Sequence, residues 1–406
     1  MMIATAALAW ALSACAPQTQ DTSFVVSSDP ELRERVSELL PQLAERAGME
    51  LVRPIRVERR TREELESYLL FKLDQELPPE EARHLTTTYS LVGLVEEELD
   101  LRGLLVSVYK EQVAGFYDPD STALFVLDDM PMDMVETVLI HELVHAVQDQ
   151  TANLDSLTAD ERGNDRQAAA QSAIEGHATL VMLEYMAEQL RGEPVDFSEL
   201  PDLSQALGPA LEAMRTQYPA LASAPAIIQE DLLFPYLKGA SFVAALWREK
   251  EGRPPPFGPD LPQSTEQILN PPRSFGSDVD LPTDLELEPG GGFEVLYGNG
   301  FGQAEFEVLL EAHLGPEGRS LAQGWDGDRY ALVRGAEGVE GLVWVSVWDS
   351  EEERDRFVEG FRPVLPKLQE GSELERIPVL GRPGAILRIG LPSELALQIR
   401  EREVGL

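Results

Sequence analysis

The chain has 406 residues, of which 43% are hydrophobic and 26% charged, so it is long enough for two or three domains with a sizeable core. Its 72 acidic residues outnumber its 33 lysines and arginines, which gives a formal net charge of −39. Such a surface repels phosphate groups, so this composition excludes nucleic acid as a partner and disfavours adsorption to anionic lipid.

Residues 1–15 have the pattern of a secretory signal peptide. An apolar run of about ten residues, Ile3 to Leu12, is too short to span a bilayer but suits a signal sequence. It ends in Leu12-Ser-Ala-Cys15, which resembles the lipobox of bacterial lipoproteins, and Cys15 is the only cysteine of the chain. We therefore expect a lipid on Cys15, a polar tether over residues 16–28, and a location outside a bacterial membrane. By analogy with lipoprotein sorting, Ala16 favours the outer membrane in a Gram-negative cell.

Residues 29–270 are predicted to form a mainly helical first domain with a small sheet. The apolar spacing and the candidate capping residues predict helices over 29–43, 61–76 and 79–99, and a strand over 52–57. Residues 104–117 and 123–127 read as two strands, and the turn-forming residues 118–121 between them predict a hairpin.

The segment from Val138 to Gln150 contains His141-Glu142-x-x-His145. On a helix, residues four apart lie on one face, so both imidazoles can reach one ion at about 2.0–2.1 Å, the distance that zinc requires. Glu142 lies about 100° round the helix from His141, where its carboxylate could deprotonate an attacking water without binding the metal. Apolar residues on the other faces predict a buried helix, in which a metal would satisfy both rings. The structural alternative is a chance match with hydrogen-bonded core histidines.

A catalytic zinc bound by two histidines needs a third protein ligand and an open position. In gluzincins a carboxylate on a following helix is the third ligand, and Glu175 lies in a predicted helix over residues 165–190, within Glu175-Gly176-His177. Glu175 is the preferred ligand, His177 is an alternative, and Asp149 is also near. If they are not ligands, Asp149 could accept the second ring proton of His145, and His177 could hydrogen-bond to substrate.

Several further segments complete a resemblance to an uncharacterised bacterial family of HExxH gluzincin-like zinc metallopeptidases, often predicted lipoproteins. They are Val113-Ala-Gly-Phe-Tyr-Asp-Pro119, His141–Gln150, Glu175–Ala178, Phe234-Pro-Tyr-Leu-Lys-Gly239, Ser264–Leu269 and Gly324-Trp-Asp-Gly-Asp-Arg-Tyr330. The metal helix is also similar to that of thermolysin. Against the family pattern, His177 replaces an acid and Asn270 replaces a histidine.

The resemblance implies a substrate site around the metal. In zincins an edge strand above the metal pairs with the extended peptide, which makes residues 123–127, with Phe125, the candidate edge. Gluzincins also need a donor for the negative oxygen that develops on the substrate. Tyr236, at the start of an apolar helix over 236–246, is the first candidate for this donor and Tyr117 the second. For each of these residues, plain structural packing is the alternative.

The rest of the chain predicts an irregular linker over 271–300 and a small α+β module over 301–406. Its expected elements are helices over 302–314 and 350–368, strands over 328–334, 341–348 and around 376–389, and a last helix from Pro392. We therefore predict an α+β protein in which a zincin-type domain carries out zinc-dependent peptide hydrolysis. The alternative is a catalytically inactive, zinc-stabilised envelope binding or scaffold lipoprotein.

Overall fold

The structure, a computed structural model, describes residues 24–402 apart from 131, 201–202, 204, 207, 209–215, 278, 336–337 and 394. Cys15 and the predicted signal segment lie outside the described residues. The α+β fold class is confirmed, because helices predominate and the strands form small sheets. No helix of the described part is long and apolar enough to cross a membrane.

The first part of the chain places long helices against a mixed sheet. Its helices are α1 (Pro30–Arg46), α2 (Arg62–Glu76), α3 (Pro79–Leu91), α4 (Leu101–Gln112), α5 (Met132–Ala152), α6 (Leu154–Leu157), α7 (Asn164–Arg191), α8 (Pro219–Ser223) and α9 (Ala226–Glu249). Its strands are β1 (Val25–Val26), β2 (Ile55–Arg60), β3 (Gly115–Asp118) and β4 (Ala123–Leu127). They lie in the order β1-β2-β4-β3, with β2 parallel to β1 and β4 and with β3 antiparallel to β4.

The predicted strand over 104–117 is wrong for most of its length, because this segment is helix α4 followed by the short strand β3. The side chain of Asp100 accepts a hydrogen bond from the Gly103 backbone N–H and caps the helix. Leu101, Leu104 and Val108 then recur at helical spacing. The hairpin itself is present, with β3 and β4 joined at residues 119–122.

Strand β4 is not an edge strand, which corrects the expectation for residues 123–127. It lies between β2 and β3, and β3 forms the edge of the sheet on that side. The five residues of β4 are buried, as expected for a strand covered on both faces.

Helices α5, α7 and α9 form the centre of the first part, and α9 crosses α7 very closely. A Cβ atom built on Gly176 would lie 2.0 Å from the Gly239 carbonyl carbon, and one built on Gly239 would lie 2.0 Å from the Ser172 oxygen. Only glycine permits this approach of two backbones. Helix α9 also runs through Pro235, so the helix expected to begin at Tyr236 begins ten residues earlier, at Ala226.

The second part contains the other two sheets. Its helices are α10 (Thr265–Leu269), α11 (Pro272–Phe275), α12 (Gly302–Leu314) and α13 (Glu351–Phe361), and its strands are β5 (Leu285–Pro289), β6 (Glu294–Asn299), β7 (Trp325–Arg334), β8 (Glu340–Trp348), β9 (Glu373–Val379), β10 (Arg382–Ile389) and β11 (Leu397–Glu401). One sheet has the antiparallel order β6-β7-β8-β10-β9, and β11 pairs with β5 in another. Short 3₁₀ helices lie at Asp160–Arg162, Phe197–Glu199, Gly258–Asp260, Pro316–Ala322 and Leu365–Lys367.

Two predictions for the second part are wrong. Residues 271–300 are not irregular, because they contain α11, β5 and β6. The expected last helix after Pro392 is strand β11, whose backbone pairs with β5. In both cases pairing with a distant strand decides the conformation, and local residue preference does not reveal it.

A hydrophobic cluster joins the two parts. Phe301, Phe306 and Trp344 of the second part belong to the same buried cluster as Tyr89 of α3 and Ile227 of α9. The helices that carry the candidate site therefore pack directly against the C-terminal sheet and its helices.

Candidate metal centre

Helix α5 presents two imidazoles side by side. Its apolar residues Leu139, Leu143 and Val144 are buried in the core, which fixes the orientation of the helix. His141 and His145 project from the remaining face, and their Nε2 atoms are 3.1 Å apart. Two ring nitrogens this close need either a shared proton or a shared cation between them.

Glu175 on α7 completes a triangle of donor atoms. Its Oε2 lies 3.0 Å from Nε2 of His141 and 3.3 Å from Nε2 of His145. Ligands about 2.0–2.1 Å from a tetrahedral zinc would be about 3.3 Å from one another. One ligand atom from each of these three residues lies within 4.8 Å of the other two. The donor set therefore fits one zinc ion with an open fourth position.

Gln148 holds His145 in the tautomer that a metal requires. The Nδ1 of His145 and the Oε1 of Gln148 are 2.9 Å apart, so Nδ1 donates and Nε2 keeps its lone pair. The Gln148 amide is in turn 3.0 Å from the Ile174 carbonyl oxygen and 3.0 Å from Nδ1 of His177. Gln148, and not Asp149 as expected, is therefore the partner of His145.

Asp149 instead joins the metal helix to its surroundings. Its carboxylate lies 2.6 Å from a guanidinium nitrogen of Arg53, accepts a hydrogen bond from the Tyr117 hydroxyl at 2.8 Å, and accepts another from the Leu154 backbone N–H. These contacts link α5 to the edge strand β3, which carries Tyr117.

Glu142 lies beside the triangle but outside it. Its Oε2 accepts a hydrogen bond from the Tyr117 backbone N–H at 2.8 Å. Burial raises the pKa of the Glu142 carboxyl above its ordinary value, although the two histidines oppose this. The carboxylate is therefore held between the metal centre and the sheet edge.

The electrostatics of the three donors are strongly linked. Burial raises the pKa of Glu175, but the neighbouring imidazoles outweigh it and hold that pKa far below its usual range. For His145, burial lowers the pKa, and Glu175 outweighs this and raises it to about 9. These shifts favour a positive charge among the three donors, and a bound divalent cation would supply one.

Tyr236 comes from α9 to the rim of the centre. Its ring centroid is 5.9 Å from that of His141, and 36% of its surface is exposed. The charge of Glu175, together with burial, raises the pKa of its hydroxyl well above the ordinary value. The crossing of α7 and α9 at Gly176 and Gly239 brings Tyr236 to this position.

His177 and Phe125 do not reach the donor triangle. His177 is fully buried, and its ring contacts Gln148, Trp247 and Phe257, so it meets the centre only through the Gln148 amide. Phe125 is 5% exposed, and its ring packs against Phe116 and under the guanidinium of Arg60. On β4 the neighbouring residues Leu124 and Val126 pack in the core with α5, so Phe125 lies on the opposite face of the sheet.

Two glutamines of the centre are absent from the sequence-based set. Gln148 is one, and the other is Gln171, whose side-chain amide donates a hydrogen bond to Oε1 of Glu175 at 2.8 Å. Gln171 is four residues before Glu175, and Gln148 is three residues after His145. Each glutamine therefore lies about one helical turn from the residue that it contacts. That spacing is the signal that could have identified both.

A cavity of about 680 Å³ lies beside the centre, between α3, α4, α7, α9 and α12. Gln171 forms part of its wall, so the cavity begins next to the residue that holds Glu175. Leucines and carboxylates recur among the other lining residues.

Comparison with known proteins gives two matches to family models. Residues 84–224, which include His141, Glu142, His145 and Glu175, match the family described as "Putative metallopeptidase family (DUF6782)". Residues 295–385 match a "Domain of unknown function (DUF8575)". Neither the curated proteins nor the solved structures gave a match. The segment that carries the donor triangle is thus similar to a metallopeptidase family.

Proposed function

We propose that the protein is a zinc-dependent endopeptidase of the gluzincin type, attached to the outside of a bacterial membrane through a lipid on Cys15. The observation that carries the enzymatic part is the triangle of donor atoms from His141, His145 and Glu175, with sides of 3.0–3.3 Å. The similarity of residues 84–224 to a metallopeptidase family supports the same conclusion.

A zinc ion held by these three residues would act as a Lewis acid and lower the pKa of water to about 7. Glu142 stands next to the three donors and would take the proton from the attacking water. It would then pass that proton to the leaving amine of the peptide. Its hydrogen bond to the Tyr117 backbone N–H fixes the direction of the carboxylate.

The edge strand β3 supports binding of an extended peptide. Ala114 accepts a hydrogen bond from the Leu127 backbone N–H, and backbone groups alternate in direction along a strand. The backbone groups of Gly115 and Tyr117 therefore point away from β4. The backbone N–H of Tyr117 points toward the Glu142 carboxylate. A substrate backbone could pair with this edge, which replaces β4 as the candidate.

Tyr236 would stabilise the transition state. Its position at the rim, beside Glu175 and His141, suits a hydroxyl that donates to the oxygen of the peptide carbonyl as negative charge develops there. Tyr117 is less suited to this role, since its hydroxyl donates at 2.8 Å to Asp149, which is not one of the three donors, whereas the Tyr236 hydroxyl hydrogen-bonds to Glu175.

Metal analysis of the purified full-length chain, combined with peptide-library cleavage, tests the enzymatic proposal. We expect about one zinc per chain and hydrolysis within peptides. Glu142→Gln should retain the zinc and lose about 10²–10⁴-fold in kcat, because it removes the general base. Zinc retention without cleavage of any peptide by the wild type would favour the envelope binding protein instead. Absence of a bound metal would refute the centre.

The lipid attachment needs a separate experiment. In a bacterial host, the wild type should incorporate radiolabelled palmitate and sediment with membranes, whereas Cys15→Ser should do neither. Equal membrane association of both forms would contradict the lipid on Cys15 but leave the metal centre unaffected.

A further inference from the structure

The cavity beside the metal centre has the size of a ligand site. Its volume of about 680 Å³ lies within the range of about 300–1,000 Å³ that is common for ligand pockets. Its wall is formed by side chains from helices of both parts of the molecule, including Leu101 and Leu105 of α4 and Val308 of α12.

Two residues connect this cavity with the proposed centre. Gln171 lines the cavity and donates to Glu175, 2.8 Å away. Tyr109 also lines the cavity. Burial, followed by the charges of Glu76, Glu175 and Asp231, raises the pKa of Tyr109 to about 12. A peptide that passes the centre could therefore place one side chain in the cavity.

The charges on the cavity wall are unbalanced. Among the residues that the structure describes, five carboxylates and two cations line the cavity; the carboxylates are Glu76, Glu230, Asp231, Glu305 and Glu307, and the cations are Lys238 and Arg319. The guanidinium of Arg319 is engaged, since it lies 3.6 Å from Glu307 and 3.7 Å from Glu230 and also pairs with Glu311. Burial raises the pKa of Glu307, and the charge of Lys238 opposes this shift. In the described part of the chain, no cation lies beside the carboxyl groups of Asp231 and Glu305.

Asp231 on α9 and Glu305 on α12 both line the cavity. The side chain of Asp231 is exposed and has no hydrogen-bond or ion-pair partner among the residues that the structure describes. Glu305 is 8% exposed and accepts hydrogen bonds from the Tyr89 hydroxyl and the Asn164 amide. Burial, and next the charge of Asp231, raise the pKa of Glu305 well above its ordinary value. A cation between the two carboxylates would remove this repulsion.

We propose that this cavity binds a lysine or arginine side chain of the peptide substrate, with Asp231 and Glu305 facing the cationic end. The aliphatic stem of such a side chain would pack along the leucines of the wall while its charge meets the carboxylates. The inference rests on the proposed function, because it names the substrate residue that the peptidase selects.

Cleavage of matched peptides tests this specificity. One peptide carries lysine beside the scissile bond, and its partner carries methionine at the same position. The zinc-loaded wild type should cleave the lysine peptide with a kcat/KM about tenfold to a hundredfold higher, as expected for a charge-assisted pair. Asp231→Asn should lose this preference, because its kcat/KM for the lysine peptide should fall by much more than its kcat/KM for the methionine peptide. Glu249→Gln, an exposed change on the same helix, serves as the control.

Reversing the charge at position 231 gives a second test, in which a gain of a new preference is measured instead of the loss of a contact. Asp231→Lys should prefer a peptide with glutamate at that position. If the wild type cleaves the lysine and methionine peptides equally well, or if Asp231→Asn lowers both equally, the inference is overturned and the proposed function stands.

Binding to the Glu142→Gln variant separates specificity from turnover. Calorimetry with this zinc-loaded variant should give tighter binding of the lysine peptide than of the methionine peptide, and the additional Asp231→Asn change should abolish the difference. If no peptide is cleaved by the wild type, the proposed function fails. In that case equal binding of the two peptides would refute the cationic site as well.

Discussion

At the scale of single residues, Gln148 shows how one amide can organise a metal centre. It accepts from Nδ1 of His145 on α5, and its amide lies 3.0 Å from the Ile174 carbonyl oxygen on α7. The same side chain thus sets the tautomer of one ligand and connects the two helices that carry all three. Such outer contacts influence affinity because they orient the ligand before the metal binds.

We expect Gln148→Leu to weaken zinc binding about 10- to 100-fold, because His145 loses the acceptor that fixes its ring. Zinc titration against a competing chelator measures the change. Gln167→Leu on α7, whose amide bonds to the Thr158 carbonyl oxygen and Asp160, should leave the affinity unchanged. Equal affinity of Gln148→Leu and the wild type would show that Gln148 only fills space.

At the scale of elements, the crossing of α7 and α9 determines what surrounds Glu175. Gly176 follows Glu175 directly, and Gly239 lies three residues after Tyr236, so the contact of these glycines sets the distance between the ligand and the candidate donor. Neither helix has room for a side chain there, since the built Cβ atoms lie 2.0 Å from backbone atoms of the other helix.

We expect Gly239→Ala to destabilise the fold by about 1–3 kcal/mol, the usual cost of overpacking, because α7 and α9 must separate. Urea unfolding measures this difference in free energy. Gly208→Ala is the control, since no atom lies within 4 Å of its built Cβ. The separation should also displace Tyr236 and lower the kcat for peptide cleavage. Unfolding curves that coincide for Gly239→Ala and the control would contradict the close crossing.

At the scale of the whole molecule, the excess of negative charge reaches into the interior. Glu266 of α10 is 3% exposed and pairs with Arg273 at 2.8 Å, and Arg273 also pairs with Asp280 and Asp349. Burial raises the pKa of Glu266 to about 8, although Arg273 opposes the shift. A carboxyl with a raised pKa binds its proton more tightly in the folded state than in the unfolded state.

Folding stability should therefore fall as the pH rises from about 5 to about 8, since in this window the folded state holds a proton that the unfolded state has released. Glu266→Gln removes this contribution, so its thermal midpoint should change less over the window than that of the wild type. Glu98→Gln, an exposed change, should behave like the wild type. Parallel curves for wild type and Glu266→Gln would contradict the raised pKa of Glu266.

The donor triangle could be predicted from the sequence because two of its members share one helix. Four-residue spacing places His141 and His145 on one face whatever surrounds them, and the chain has few other histidines to compete. Predicting the third ligand required knowing which helix packs against α5. The small residues around Glu175 indicated that its helix could approach closely enough. The α+β class could also be predicted, because the spacing of apolar residues distinguishes helices from strands over the length of a whole element.

Tertiary structure alone decided the features that depend on distant partners. The sheet order made β3 the edge and enclosed β4, and pairing with β5 turned the segment after Pro392 into a strand. Packing of α5 on α7 made Gln148, and not its neighbour Asp149, the hydrogen-bond partner of His145. The Gln148 side chain points toward Ile174 on α7, and that of Asp149 does not. The acidic cavity is built from helices of both parts, far apart in the chain. Local spacing determines which side chains share a face, whereas long-range packing determines what that face meets.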